Sequence, residues 1–420
     1  MEKMLEFYRC HLKQQILPFW EQAFDDTFAG VFTCFSNDGS RLVSTDKYTW
    51  SQARMLWCLS YLLSSHACSK GIEQTRLDAL GRQAHRLYSF LHEHVFLPGD
   101  LEVCAFVLDR EGVPKEPVPG QGLYTSFYAD CFVIMAFSRY AHLVGASSIA
   151  KEALAVYEKL LRVLDAGVVR TEPYALPEGT KAQSVYMILC NTAHELALCL
   201  EGFHMQQAAA VRAQATAYAA RIMDTFIDVQ SMQLCELTGD DAKQSSLLIR
   251  HRNPGHALEC MWFCMDVLDD RYIERIEKTM KAMLALGWDD QYGGLFRYVD
   301  MQGGQVKGLS DGSPFADLVA RTWDYKLWWP HAEALYACLR MYVKTGELTF
   351  LDWHRRLSAY TFPTFTAPQG KEWIQIRQRD GRPVDTVVAL PVKDPYHIFR
   401  MLLLSIELLD AHRKDETNDV

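Results

Sequence analysis

"GVFTCFSNDGSRLVST", residues 30–45, sets apolar side chains in alternation on both sides of the polar turn "SNDGS" at 36–40. Alternation around an Asn-Asp-Gly turn predicts a short β-hairpin. "LEVCAFVLDREGV" at 101–113 repeats the design around "DREG" at 109–112, and similar glycine turns follow at 176–180 ("LPEGT"), 237–241 ("LTGDD"), 301–305 ("MQGGQ") and 378–382 ("QRDGR"). The six turns are spaced by roughly 60 to 77 residues, and such self-similarity marks a repeat architecture. Between them lie segments such as "SFYADCFVIMAFSRYAHLV" (126–144) and "AEALYACLRMYVKTG" (332–346), with apolar residues recurring at three and four positions, the period of an amphipathic helix. A hairpin and a helix pair, six times over, predict an all-α fold of twelve helices closed into a double-layered toroid. The alternative is an open α-solenoid built to bind partners; irregular repeats rich in inward-capable aromatics favour the closed form. No Pro- or Ser-rich linker interrupts the rhythm, so residues 1–420 read as one domain.

The bulk properties agree with an enzyme-sized core. The chain has 420 residues, 49% of them hydrophobic and 12% aromatic, which is enough to bury a large interior. A net charge of −9 without any basic stretch speaks against a nucleic-acid partner. Apolar runs such as "MLWCLSYLL" at 55–63 fall far short of the roughly 20 residues of a membrane span, so no membrane partner is expected. "MEKMLEFYRCHLKQQILPFW" is charged and amphipathic and reads as a first helix rather than a leader. The twelve cysteines are scattered, several inside helical patterns (Cys58, Cys131, Cys199, Cys338), and predict reduced thiols in a cytoplasmic protein. Cys260 and Cys264 lie one turn apart without a second ligand pair, and read as small buried hydrophobes rather than a zinc site.

Two segments, "NPGHALECMWF" (253–263) and "DPYHIFRMLLL" (394–404), share a pattern. Each begins with a capping residue, Asn253 or Asp394, then proline, Pro254 or Pro395, then a histidine at the third helical position, His256 or His397. Unpaired N–H groups at a helix start disfavour a positive charge, so both imidazoles are expected to be neutral and competent as general bases. One turn further on stand Glu259, expected to orient His256 or to relay its proton, and Arg400, expected to keep His397 neutral and to donate to a sugar oxygen. In "DKYTWSQARMLW" (46–57) Arg54 shares a helical face with Trp50, Trp57 and Tyr61, either as a surface arginine lying over aromatics or as a guanidinium aimed into the toroid's mouth. Arg250 in "IRHRNPGH" is a further candidate. "KLWWPHAEAL" (326–335) offers Trp328 and Trp329 as a stacking platform for pyranose rings, or as the bulky start of a core helix.

Together "DKYTWSQARMLW", "RHRNPGHALECMWF", "GWDDQYGGLFRY", "KLWWPHAEAL", "SAYTF" and "DPYHIFRMLLL", spanning about residues 46 to 405, resemble the N-acylglucosamine 2-epimerase family, which includes renin-binding protein. The resemblance implies an (α/α)6 barrel that reversibly inverts C2 of an aldose, with no metal or redox cofactor. It implies that His256 and His397 are the acid/base pair, Glu259 a supporting carboxylate, Arg54 the stabiliser of the enediolate, and Trp328, Trp329 and Glu333 the substrate-facing end of the pocket. Trp50, Arg250, Asn191, Tyr396 and Arg400 complete the candidate sugar-binding set. The sequence also departs from the family pattern. "VVALPVKDPYH" (387–397) lacks the glycine cluster associated with nucleotide stimulation, and Tyr396 resembles the cellobiose 2-epimerases. In "CNTAHELAL" His194 stands three residues after Asn191, where free-sugar members of the superfamily place histidine at the fourth, here Glu195.

The expected function is therefore N-acyl-D-glucosamine 2-epimerase, acting on a small reducing sugar, with a homodimer left open. The alternatives are a free-sugar 2-epimerase or aldose–ketose isomerase on mannose, glucose or fructose, a glycoside hydrolase with paired carboxylates, and a non-enzymatic binding protein.

Overall fold

The computed structural model describes residues 1–239, 245–368, 370–384 and 393–418. Parts of two motifs, 240–241 of "LTGDD" and 387–392 of "VVALPVKDPYH", lie outside the described residues.

Six helices form the inner layer: Thr49–Ser64, Phe127–Val144, Gln183–Gly202, Pro254–Val267, Trp328–Thr345 and Tyr396–Asn418. Each packs on the next, and the last packs on the first, so the ring is closed. Inner helices are apolar around most of their girth: Phe127–Val144 buries residues from Phe127 to Ala141 on nearly every side. Such helices need protein on both faces. The outer partners supply it: Gln74–His94, Ser147–Asp165, Ala208–Thr225, Ile273–Gly287, Leu348–Phe365 and the N-terminal Glu2–His11. These are amphipathic; Ser147–Asp165, for example, buries a stripe of Ile149, Ala153, Tyr157 and Leu160. Glu2–His11 packs against Tyr396–Asn418, so the two ends of the described chain complete the last helix pair. The fold is the predicted α/α toroid, and its twelve cysteines are free thiols, Cys260 and Cys264 among the buried ones. Among the described residues no helix is long and apolar enough to cross a membrane.

The predicted hairpins appear at 36–40, where the Ser36 N–H donates to Arg41 O at 2.8 Å, at 109–112, between Val107–Leu108 and Pro114–Lys115, and at 378–382, where the Gln378 N–H donates to Arg382 O at 2.8 Å. Elsewhere the short strands join successive repeats. Lys47–Tyr48 pairs with Val107–Leu108, Thr180–Ala182 with Leu237–Gly239, His251–Arg252 with Val299–Asp300, and Lys326–Leu327 with Ile376–Arg377. In all four pairs the first strand lies immediately before an inner helix, or one residue short of it, and so pins that helix's first turn to the next repeat. An ionic clamp, with its lysine and aspartate buried and its arginine at the surface, reinforces the joint twice. Lys47 Nζ donates to Asp25 Oδ2 at 3.2 Å while Arg110 grips both Asp25 oxygens at 2.9 and 3.1 Å. Lys326, Asp289 and Arg379 repeat this at 3.0, 2.8 and 3.0 Å.

Candidate active site

The first turns of the inner helices line a cavity of about 330 Å³, a size suited to a small molecule. Later turns of the same helices line a second cavity. All six inner helices therefore begin at one mouth, where their partial positive ends converge.

His256 and His397 meet in the first cavity, from helices separated by the Trp328–Thr345 helix. Trp329 lies between them, its ring 4.9 Å from the His256 ring and 5.6 Å from that of His397. The close approach of Trp329 depends on Gly255, where an added Cβ would stand 2.7 Å from both Trp329 Cζ3 and Pro330 Cβ. Asn253 caps its helix as expected, its Oδ1 accepting from the His256 N–H at 3.2 Å. Asp394 caps more tightly: Oδ1 accepts from the Tyr396 N–H at 2.8 Å and the helix begins at Tyr396, so His397 stands in its second position rather than its third.

Each imidazole rests on its own carboxylate. His256 Nδ1 is 2.9 Å from Glu236 Oε2, and His397 Nδ1 is 2.7 Å from Glu333 Oε1. A carboxylate holds a proton on Nδ1 and leaves the lone pair on Nε2. Burial opposes the charge on His256, but the Glu236 carboxylate outweighs burial and raises its pKa above the ordinary value, a shift opposite to the one expected from the helix start. Glu236 itself, though burial favours its neutral form, is held below its ordinary pKa chiefly by His256.

Glu259 does not take the expected role beside His256. It points to the barrel axis, where Arg400 Nη2 donates to Glu259 Oε1 and, at 2.7 Å, to Glu333 Oε1. Burial opposes ionisation of Glu333, but Arg400 and His397 hold its carboxyl well below the usual range. Glu333 is 2% exposed and accepts from Trp262 Nε1 at 2.9 Å, so it stands behind His397 rather than at the substrate-facing end. Glu259, Glu333 and His397 bring three potential metal-ligand atoms within 4.8 Å of one another, a cluster that spacing did not reveal because three helices contribute to it. The Arg400 guanidinium already supplies the positive charge between the two carboxylates.

Arg54 lines the cavity, its guanidinium 4.0 Å from the Phe132 ring, 5.0 Å from Trp50 and 5.4 Å from Tyr396. Its Nη1 donates to Asp394 Oδ2 at 3.3 Å, and the same oxygen is 3.4 Å from His397 Nε2. Trp57 and Tyr61, expected on Arg54's face, lie further along the helix at the second cavity, under Arg139. Trp328 and Trp329 are both part-exposed to the first cavity, as is Trp50.

Three candidates fall elsewhere. Arg250 grips Asp300 at 2.7 and 3.0 Å and is absent from the cavity lining. Asn191 faces the second cavity, its Nδ2 3.2 Å from Met135 Sδ, because it lies two turns into its helix. Tyr396 is buried between the cavities, with Arg400 Nη1 donating to its hydroxyl at 3.3 Å. Sequence reasoning missed Glu236 and Arg297, which reach the cavity from inter-repeat segments. "GGLFRY" held a signal for Arg297, an arginine among core aromatics next to a glycine turn.

Comparison with known proteins adds to this geometry. The model of the family described as N-acylglucosamine 2-epimerase (GlcNAc 2-epimerase) matches residues 30–401. The N-acylglucosamine 2-epimerase of Bos taurus is 27% identical over 406 residues, covering 94% of this chain and 89% of the relative. The structure of cellobiose 2-epimerase from Bacillus thermoamylovorans B4167 superposes with a TM-score of 0.76 at 20% identity, covering 97% of this chain and all of the other. A D-mannose isomerase superposes with a TM-score of 0.71 at 17% identity, covering 96% and 97%. At these identities the two structures speak for the α/α-barrel fold alone.

Proposed function

The chain belongs to the N-acylglucosamine 2-epimerase family, and on that premise we propose that it interconverts N-acetylglucosamine and N-acetylmannosamine by two-histidine proton transfer at C2. As a carbohydrate epimerase it is an isomerase. The observation that carries the mechanism is the pairing of two imidazoles, each with Nδ1 on its own glutamate, on either side of Trp329.

The C2 hydrogen is acidic only while C1 is an aldehyde, so the open-chain sugar is the reacting form. Nε2 of one histidine takes the proton from one face of C2. The resulting C1 enolate, with the acylamino group still on C2, is planar at C2, and the other histidine returns a proton to the opposite face, which inverts the centre. Charge develops on the C1 oxygen, and Arg54, which lines the cavity, opposes it together with the converging helix starts. Glu236 and Glu333 position the bases and stabilise each imidazolium as it forms.

Incubation with N-acetylglucosamine, N-acetylmannosamine, glucose, mannose and cellobiose, followed by proton NMR, tests the reading. It predicts N-acetylmannosamine from N-acetylglucosamine and the reverse, with no ketose. Turnover confined to free aldoses, or a ketose as main product, would replace it with the isomerase reading.

A further inference from the structure

We infer that the acyl group on C2 is bound by Arg297 together with an apolar wall of Tyr174, Leu176, Leu237 and Phe315, and that this subsite selects N-acyl hexosamines over free aldoses. The inference rests on the epimerase reading and names what holds the acyl substituent, which that reading leaves without a partner.

Arg297 lines the cavity and is only 6% exposed. The other lining arginines have carboxylates, Asp394 for Arg54 and Glu259 with Glu333 for Arg400. Arg297 forms no ion pair among the described residues; its Nη1 donates to the hydroxyl of Thr322 at 3.0 Å, and its guanidinium lies beside the Tyr174 and Tyr298 side chains, 5.0 Å from the Tyr298 ring. A buried guanidinium whose neighbours are hydroxyls and rings, with no carboxylate, calls for a strong acceptor. An amide carbonyl oxygen is such an acceptor and carries no charge. Neutrality matters, because Arg54, Arg297 and Arg400 are matched in this lining by Asp394, Glu236 and Glu259. An anionic substrate would upset that balance.

The wall beside it is apolar. Phe315 and Tyr174 stack at 5.1 Å, and Leu176 and Leu237 pack in the same small hydrophobic cluster. Leu237 follows Glu236, the partner of His256, so the wall starts one residue from a catalytic dyad. The Pro314–Thr322 helix supplies both Phe315 and the Thr322 hydroxyl, which ties wall and guanidinium into one unit. Three substituents leave planar C2. The C1 oxygen is assigned to Arg54. The C3–C6 tail presents several hydroxyls, which a hydrocarbon wall cannot satisfy. An acyl group needs one donor for its oxygen and apolar surface for its carbon, which is what this end of the cavity provides.

The test uses alditols, which bind but cannot react. Tryptophan fluorescence is titrated with N-acetylglucosaminitol, N-butanoylglucosaminitol and glucitol. The intact protein is expected to bind N-acetylglucosaminitol at least about tenfold more tightly than glucitol, and Arg297→Met to bring the two within about twofold. Phe315→Ala is expected to shift preference toward the butanoyl compound by about tenfold. If Arg297→Met does not fold, Thr322→Val frees the guanidinium and is expected to narrow the same ratio. Equal binding of both alditols by the intact protein, or equal loss of both in the variant, overturns the inference. Failure of the intact protein to epimerise any N-acyl hexosamine instead overturns the underlying reading, and is seen in a separate assay.

Discussion

Glu333 holds His397 from behind, its Oε1 2.7 Å from the imidazole Nδ1, and the same oxygen takes Arg400 Nη2 at 2.7 Å. One buried oxygen thus orients a base and ties it to the barrel's central ion pair. Glu333→Gln keeps the shape but removes the charge that stabilises an imidazolium. The expected result is a fall in kcat of about 10²-fold or more with KM changed little. Steady-state kinetics on both epimers check it; a rise in KM at unchanged kcat would assign Glu333 to binding instead.

Glu236 gives a prediction with a definite sign in pH. It raises the pKa of His256, and a general base works only when unprotonated, so the rising limb of kcat/KM governed by His256 sits above the pH of an ordinary histidine. Glu236→Gln removes the raising charge. The limb is expected to move to lower pH while the plateau falls. A pH–rate profile of the variant checks the direction, and a limb that stays or moves up contradicts the pairing.

Much of this was legible in the sequence, for local reasons. The turn rhythm pointed to the toroid, and the capped Asn-Pro-Gly-His and Asp-Pro-Tyr-His starts pointed to two histidines that line one cavity, because capping and first-turn position are short-range properties. What failed depended on geometry between repeats. Spacing alone pairs Glu259 with His256, whereas its carboxylate accepts from Arg400, which a different helix supplies. Glu236 and Arg297 reach the site from segments paired or packed across repeats, and no helical period signals such a residue. Asn191 lines the other cavity, because a periodicity shows which face points inward and not which mouth a given turn reaches.

Gly255 is expected to accept nothing larger. Its Cβ would meet Trp329 and Pro330 at 2.7 Å, so Gly255→Ala must push the indole away from the two imidazoles. Overpacking of this kind costs about 1–3 kcal/mol. A lowered melting temperature and a fall in kcat/KM of about tenfold or more are expected, measured by calorimetry and by the epimerisation assay.

Arg54→Lys keeps the charge and loses the planar group that lies against Phe132 and reaches Asp394. Turnover is expected to drop by roughly 10²-fold, the scale of a lost oxyanion donor, with thermal stability nearly intact. Wild-type turnover in this variant would remove Arg54 from the mechanism.

The central claim is that two bases act on opposite faces of C2, and hydrogen exchange in D2O measures it most directly. Product formed by the intact protein is expected to carry deuterium at C2. His256→Ala and His397→Ala should each abolish epimerisation, since inversion needs both faces. Each variant keeps one base, which can remove and return a proton on its own face, so one is expected to exchange the C2 hydrogen of N-acetylglucosamine only and the other that of N-acetylmannosamine only. Exchange of the same epimer by both variants, or epimerisation by either at a near wild-type rate, would contradict the two-base account.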